Sequence, residues 1–227
     1  MKYGWLLFDV DGTLFDYAMA ESYALRTTWQ QAGLAFSEEY LAIYRRINAR
    51  IWLEFEKGLI SAASLRADRF ELLFDAIGVE VDARDFSAAY LKHLGEAADL
   101  IEGAEETIRC LRGKAGLMLV TNGLRDVQRS RLAKSTIGVY FADVVISEEV
   151  GSAKPDGGIF DAAFERMGLP RKEDVLIIGD SLSADIRGGN DYGIDTCWFN
   201  PARRPLDSEA RVDYEITRLQ DLLTILE

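Results

Sequence analysis

The sequence predicts a doubly wound α/β core, a parallel sheet flanked by helices, interrupted after its first strand by an all-helical insertion. Two observations carry this reading. Short apolar runs bounded by Gly, Asp or Asn recur along the chain, and helix-length segments separate the later ones. Between the first run and the others, a long stretch shows helical periodicity alone.

The runs are YGWLLFDV at 3–10, GLMLVTNG at 116–123, ADVVIS at 142–147, DVLIIGD at 174–180 and GIDTCWFN at 193–200. They are rich in Val, Ile, Leu and aromatics without strict alternation, as strands covered on both faces are. LRDVQRSRLAKS (124–135) and DGGIFDAAFERMG (156–168) read as helices. Pro155 suits the first turn of the second helix and Gly168 its end. From about residue 17 to 99 the patterns are helical, as in YLAIYRRINARIWLEFEKG and SLRADRFELLFDAIG. Gly33, Gly58, Gly78 and Gly95 fall where helices would stop, so a four-helix bundle is expected there. The expected division is therefore a split core of 1–15 and 100–227, with residues 16–99 as the inserted helical domain.

Whole-chain properties narrow the partners. A net charge of −12 over 227 residues disfavours nucleic-acid polymers and anionic membrane surfaces. It leaves room for a small phosphorylated metabolite, because one lysine and a metal supply local positive charge. Two cysteines, Cys110 and Cys197, make a disulfide framework unexpected. The first apolar run breaks at Asp9, too early for a signal peptide or a membrane span. The expectation is a soluble cytoplasmic protein.

In open parallel sheets ligands bind beyond the carboxyl ends of the strands, and the polar oddities of this chain lie there. Asp9 and Asp11 follow the first run, Thr121 and Asn122 the second, Lys154 the third, and Asp180 and Asp185 the fourth. In a strand, positions i and i+2 share a face, so the carboxylates of Asp9 and Asp11 are expected to crowd one spot. Crowded like charges need an offset. Asp9, Asp11, Asp180 and Asp185 together would suit a hard cation, magnesium above all. Thr121, Asn122 and Lys154 add donors around an anion, and Gly12 and Gly123 would let backbone amides approach its oxygens. An anion between a metal and a lysine, facing a carboxylate, is what phosphoryl transfer needs.

DVDGT, TNG, KP and GDSLSAD, in this order, resemble the motifs of the haloacid-dehalogenase-like hydrolase superfamily, and the insertion resembles its C1-type cap. The resemblance implies that Asp9 is a nucleophile forming an aspartyl-phosphate. It implies that Asp11 protonates the leaving oxygen and then activates water, its backbone carbonyl also ligating Mg2+. Thr121 and Lys154 would hold phosphoryl oxygens, Asn122 would shape their pocket, and Asp180 would ligate the metal. Asp185 would support the metal directly or through water. ISEEVGSAKPDGGIFDAAF and the segment following GDSLSAD look most like house-cleaning pyrimidine 5'-nucleotidases. That likeness implies a nucleoside monophosphate substrate, with phosphoglycolate or a sugar phosphate as the alternative. A dehalogenase and a phosphomutase are further alternatives on the same fold, and a dehalogenase would leave Asp11 idle.

The insertion would choose the substrate, and the region around Trp52 and Glu56 is the candidate wall. Beside that stand plainer expectations. Glu21 and Glu56 read as solvated helix charges, and Trp52, Phe55 and the tyrosines at 17, 23, 40 and 44 as core stripes. His93 reads as a surface or core residue, Cys197 and Trp198 as core, and Arg203–Arg204 as a solvated loop.

Overall fold

The computed structural model describes residues 2–206 and 211–226. After β1 (Trp5–Phe8) come four helices, α1 (Tyr17–Gln31), α2 (Glu38–Glu56), α3 (Ala62–Ile77) and α4 (Ala83–Leu94). The chain then alternates through α5 (Ala104–Leu111), β2 (Gly116–Thr121), α6 (Arg125–Lys134), β3 (Asp143–Ile146), α7 (Ser147–Val150) and α8 (Gly157–Arg166). It ends with β4 (Val175–Gly179), α9 (Arg187–Tyr192), β5 (Asp195–Phe199), β6 (Tyr214–Ile216) and α10 (Asp221–Ile225). The six strands form one parallel sheet in the order β3-β2-β1-β4-β5-β6.

Strand alternation distributes the apolar runs between two buried layers. Leu6 and Phe8 of β1 join Leu117, Leu119, Leu176 and Ile178 in a layer closed by Ile108 of α5 and Leu222 of α10. Leu7 joins Met118, Val120 and Ile177 on the other face, under Ile159, Phe160 and Phe164 of α8. Both faces are covered, so both sets of alternate residues must be apolar. That is why the runs show no polar alternation.

The inserted helices have start signals of their own. Asp16 accepts from the Met19 N–H, Ser61 from that of Ser64, and Asp82 from those of Arg84 and Asp85, satisfying donors that a helix N-terminus leaves open. Gly33, Gly58, Gly78 and Gly95 each follow a helix end within two residues. The four helices enclose a separate apolar cluster around Trp29, whose ring meets those of Phe36, Tyr40, Phe74 and Phe86 at centroid distances of 5.2–6.1 Å.

Several elements differ from the sequence reading. α5 and β6 had no expected counterpart, and β6 is only three residues long with one buried. α8 begins two residues after Pro155, with Asp156 as its cap, accepting from the Gly158 N–H at 2.8 Å. Glu21 is buried rather than solvated, because Arg45 (2.7 Å) and Asn48 (3.3 Å) give its carboxylate partners. His93 is a buried residue, bonded to Gln31 at 3.0 Å. No described helix is long and apolar enough to cross a membrane.

Trp29→Ala should destabilise the protein by about 3–5 kcal/mol, the usual cost of emptying a large aromatic site. Chemical denaturation measures this. A loss below about 1 kcal/mol would mean that the aromatic cluster does not hold the insertion together.

Candidate active site

β1 stops at Phe8 and the backbone turns at once. The N–H groups of Leu14 and Phe15 both donate to the Val10 carbonyl, and Gly12 N–H donates to the Phe15 carbonyl at 3.0 Å. Gly12 has φ +87°, and a Cβ there would lie 2.9 Å from Oδ2 of Asp180. Both facts require glycine.

This turn parts the two aspartates. Asp9 is buried, with Oδ1 accepting from Lys154 Nζ at 2.7 Å and Oδ2 from the Thr13 hydroxyl at 3.1 Å. Asp11 instead accepts from Gln128 Nε2 at 2.5 Å and from Arg131 Nη1, both on α6. The expected crowding of the two side chains is absent, since the i, i+2 rule holds within a strand and neither residue is in one. The Asp11 carboxylate accordingly stands outside the acidic cluster.

That cluster is Asp9, Asp180 and Asp185, which can each bring one oxygen within 4.8 Å of the others. Lys154 is buried among them. Its three N–H donors reach Asp9 Oδ1, Asp185 Oδ1 (2.6 Å) and the Val120 carbonyl (2.7 Å), which uses all it has. Asn122 fixes the lysine backbone from both sides: Lys154 N–H donates to Asn122 Oδ1 at 2.7 Å, and Asn122 Nδ2 donates to the Lys154 carbonyl at 2.8 Å. Thr121 Oγ1 accepts from the Gly123 N–H at 3.0 Å, leaving the hydroxyl proton for another acceptor. The amides of Gly12 and Gly123, expected to approach ligand oxygens, are thus engaged in their own loops. Gly123 is glycine for a different reason, since a Cβ there would sit 2.0 Å from Gln128 Nε2.

Asp185 is held by the Ser181 N–H on Oδ2 (3.1 Å) and by Lys154 on Oδ1. The main-chain carbonyl of Asp180 accepts from Trp198 Nε1 (3.1 Å) and Arg204 Nη2 (2.7 Å). Arg204 is exposed in its loop, as expected, and Asn200 bonds both its N–H and its carbonyl at 2.9 Å.

With all three ionised, the carboxylates leave two negative charges in excess over the one ammonium. Burial pushes the Asp9 carboxyl well above the usual range, with Lys154 pulling against it. Burial, reinforced by Asp185, pushes Asp180 up to about 7. For Lys154, burial acts to lower the ammonium, and Asp185 and Asp9 outweigh it and raise it. A set of hard oxygen donors with this excess fits a hard divalent cation.

One cavity of about 200 Å3 gathers Asp9, Asp11, Thr121, Asn122, Lys154, Asp180 and Asp185 with Trp52 and Glu56 of α2. Tyr17 of α1 also lines it and accepts from Asn48 Nδ2 at 3.2 Å. Glu56 is not a solvated charge, because it accepts from the Ser183 hydroxyl at 3.3 Å and burial raises its carboxyl. Gln128 and Arg131 went unread in the sequence, and Arg204 was read only as part of a solvated loop. The first two are spaced i, i+3 on one helix face just after TNG, the one signal that could have found them.

Comparison with known proteins places this geometry. Residues 3–193 match the haloacid dehalogenase-like hydrolase family. The chain is 38% identical over 225 residues to the HAD-hydrolase YfnB of Bacillus subtilis, covering 99% of this chain and 96% of that protein. The crystal structure of YfnB bound to magnesium, for which interdomain movement is described, superposes with a TM-score of 0.94 over both complete chains. The pyrimidine 5'-nucleotidases PynA of Streptococcus pneumoniae and YjjG of Escherichia coli are 36% and 32% identical, each over 100% of this chain and over 96% and 99% of their own lengths. With its sheet order, its acidic crevice and these full-length similarities, the chain belongs to the haloacid dehalogenase-like hydrolase family.

Proposed function

We propose that this protein is a magnesium-dependent phosphomonoester hydrolase that works through an aspartyl-phosphate on Asp9 and acts on pyrimidine nucleoside 5'-monophosphates. The observation that carries the reading is the cluster of buried Asp9 and Asp185 with half-buried Asp180, formally two charges in excess, around a carboxylate whose two oxygens are both held. A dehalogenase would need neither Asp11 nor this excess of acids. The side chains of Asp9 and Asp180 and the Asp11 carbonyl would hold the ion, with Asp185 supporting them. Once bound, it offsets the excess charge and draws electron density from the phosphoryl oxygens.

The chain's own groups then carry the reaction. An Asp9 carboxylate oxygen attacks phosphorus while the bond to the substrate oxygen breaks, and Asp11 gives that oxygen a proton. Phosphorylation removes the carboxylate charge of Asp9, so its contact with Lys154 becomes available to a phosphoryl oxygen. The Thr121 hydroxyl offers a second donor. Asp11 next takes a proton from water as it attacks phosphorus, and inorganic phosphate leaves with Asp9 restored.

The split core of 1–15 and 100–227 treats every small monoester alike, so choice falls to residues 16–99, acting as a cap. Trp52 offers a face for a base, where stacking contributes about 1–3 kcal/mol, and Glu56 and Tyr17 offer polar edges. The similarity to PynA and YjjG supports nucleotides over phosphoglycolate and sugar phosphates.

Activity should vanish in excess chelator and return with magnesium; full turnover in chelator would remove the metal from the mechanism. Gly12→Ala, which forces a methyl group against Asp180, should weaken magnesium binding at least about tenfold by calorimetry, roughly 1.4 kcal/mol. In a substrate screen, pyrimidine 5'-monophosphates should give higher kcat/KM than phosphoglycolate or hexose phosphates. Trp52→Ala should cut nucleotide kcat/KM by roughly 5- to 150-fold and cost less for acetyl phosphate, which has no ring to stack. A screen won by phosphoglycolate or a sugar phosphate would reject the nucleotidase and keep the phosphatase.

A further inference from the structure

Arg131 has no exposed surface, yet its guanidinium is only partly matched. Nη1 donates to Asp11, Nε donates to the Ala97 carbonyl at 2.8 Å, and the group lies 4.7 Å from the centroid of the Phe15 ring. Nη2 has no partner. Gln128, one turn earlier on α6, bonds the other oxygen of Asp11, and its own Oε1 is also unpartnered. Buried polar atoms are nearly always bonded, so two orphans on the two residues gripping one carboxylate call for a reason.

Ala97 supplies it. This residue belongs to the segment between α4 and α5 that brings the chain back from the insertion to the sheet. α6 holds the same segment at Gly95, whose carbonyl accepts from the Ser130 hydroxyl at 2.7 Å. The outgoing and returning segments are themselves joined, Asp16 N–H to the Asp99 carbonyl at 3.0 Å. One guanidinium is therefore bonded at once to the return linker and to the acid–base carboxylate.

We propose that Arg131, with Gln128, is the positioning residue that couples the position of the helical insertion to the orientation of Asp11. The inference rests on the phosphatase reading above. With both oxygens bonded to α6, Asp11 is turned toward the core side of the site. To give a proton to a leaving oxygen it must release one of them. Movement of the return linker shifts the Ala97 carbonyl, lets the guanidinium rotate, and brings the spare Nη2 donor into use as an Asp11 oxygen turns to the substrate. The planar fork of arginine can span both partners, whereas a lysine ammonium cannot hold both at this geometry. Gly123 gives Gln128 the room to take part.

The test compares kcat/KM for a pyrimidine nucleoside 5'-monophosphate with that for p-nitrophenyl phosphate at saturating magnesium. This constant reports the steps through loss of the leaving group, and only the alkoxide needs a proton, a contribution of about 10²–10⁴. Arg131→Lys keeps the buried charge, and Gln128→Met keeps the volume. Each should lower the nucleotide-to-nitrophenyl ratio at least about tenfold. In an Asp11→Asn background, neither should lower it further, since both act through Asp11. A ratio that stays at the wild-type value, or that falls again in the Asp11→Asn background, would overturn the coupling. Should Arg131→Lys fail to fold, the Gln128→Met ratio decides in the same way. A wild-type protein that hydrolyses neither ester would overturn the phosphatase reading and the coupling with it, an outcome distinct from an active enzyme with an unmoved ratio.

Discussion

One buried ammonium organises the molecule. Lys154 sits between Asp9 and Asp185 with the Val120 carbonyl as its third partner, so segments following β1, β3 and β4 must converge on it and β2 must end beside it. The sheet makes this possible by placing β1 between β2 and β4, with Phe8 level with Leu119 and Ile178. Asp9 then emerges at the point where the strand order reverses, where open sheets leave a crevice. Charges held away from water are costly unless matched. The match here is formally incomplete by two negative charges, an excess of oxygen donors that fits a divalent cation.

The insertion bears on the same point from the other side. Its outgoing linker carries Asp11 and its returning linker is bonded by Arg131, so both of its attachments meet at Asp11, the proposed acid–base residue, rather than at Asp9. Further contacts tie the helices to the sheet domain, Arg66 to Glu148 at 2.8 Å and Ser183 to Glu56 at 3.3 Å. Asp9 is thereby held by core residues alone. In the proposed mechanism leaving-group chemistry depends on where the helices sit, so that a generic phosphate site waits for a particular ester.

Much of this was legible in the sequence because it rests on local rules. Apolar runs ending in acids place Asp9 and Asp180, helix stops at glycines mark out the insertion, and the four short motifs name the residues that line the cavity. Trp52 and Glu56, named there as a candidate wall, do line the cavity. What was illegible depends on partners far along the chain. The rotation of Asp11 away from Asp9 follows from a turn at Gly12 and from Arg131, which is 120 residues distant. Glu21 looks solvated until Arg45 and Asn48 appear beside it. β6 is too short to give a pattern, and it forms because β5 offers it an edge.

The central claim is that Asp9 takes the phosphoryl group. Rapid acid quenching of the enzyme turning over a radiolabelled nucleoside 5'-monophosphate in magnesium tests it directly. The account predicts label on the peptide containing Asp9, released by hydroxylamine as an acyl phosphate is, and none in Asp9→Asn. Steady turnover with no label on the protein under any quench time, or label on a peptide lacking Asp9, would contradict it.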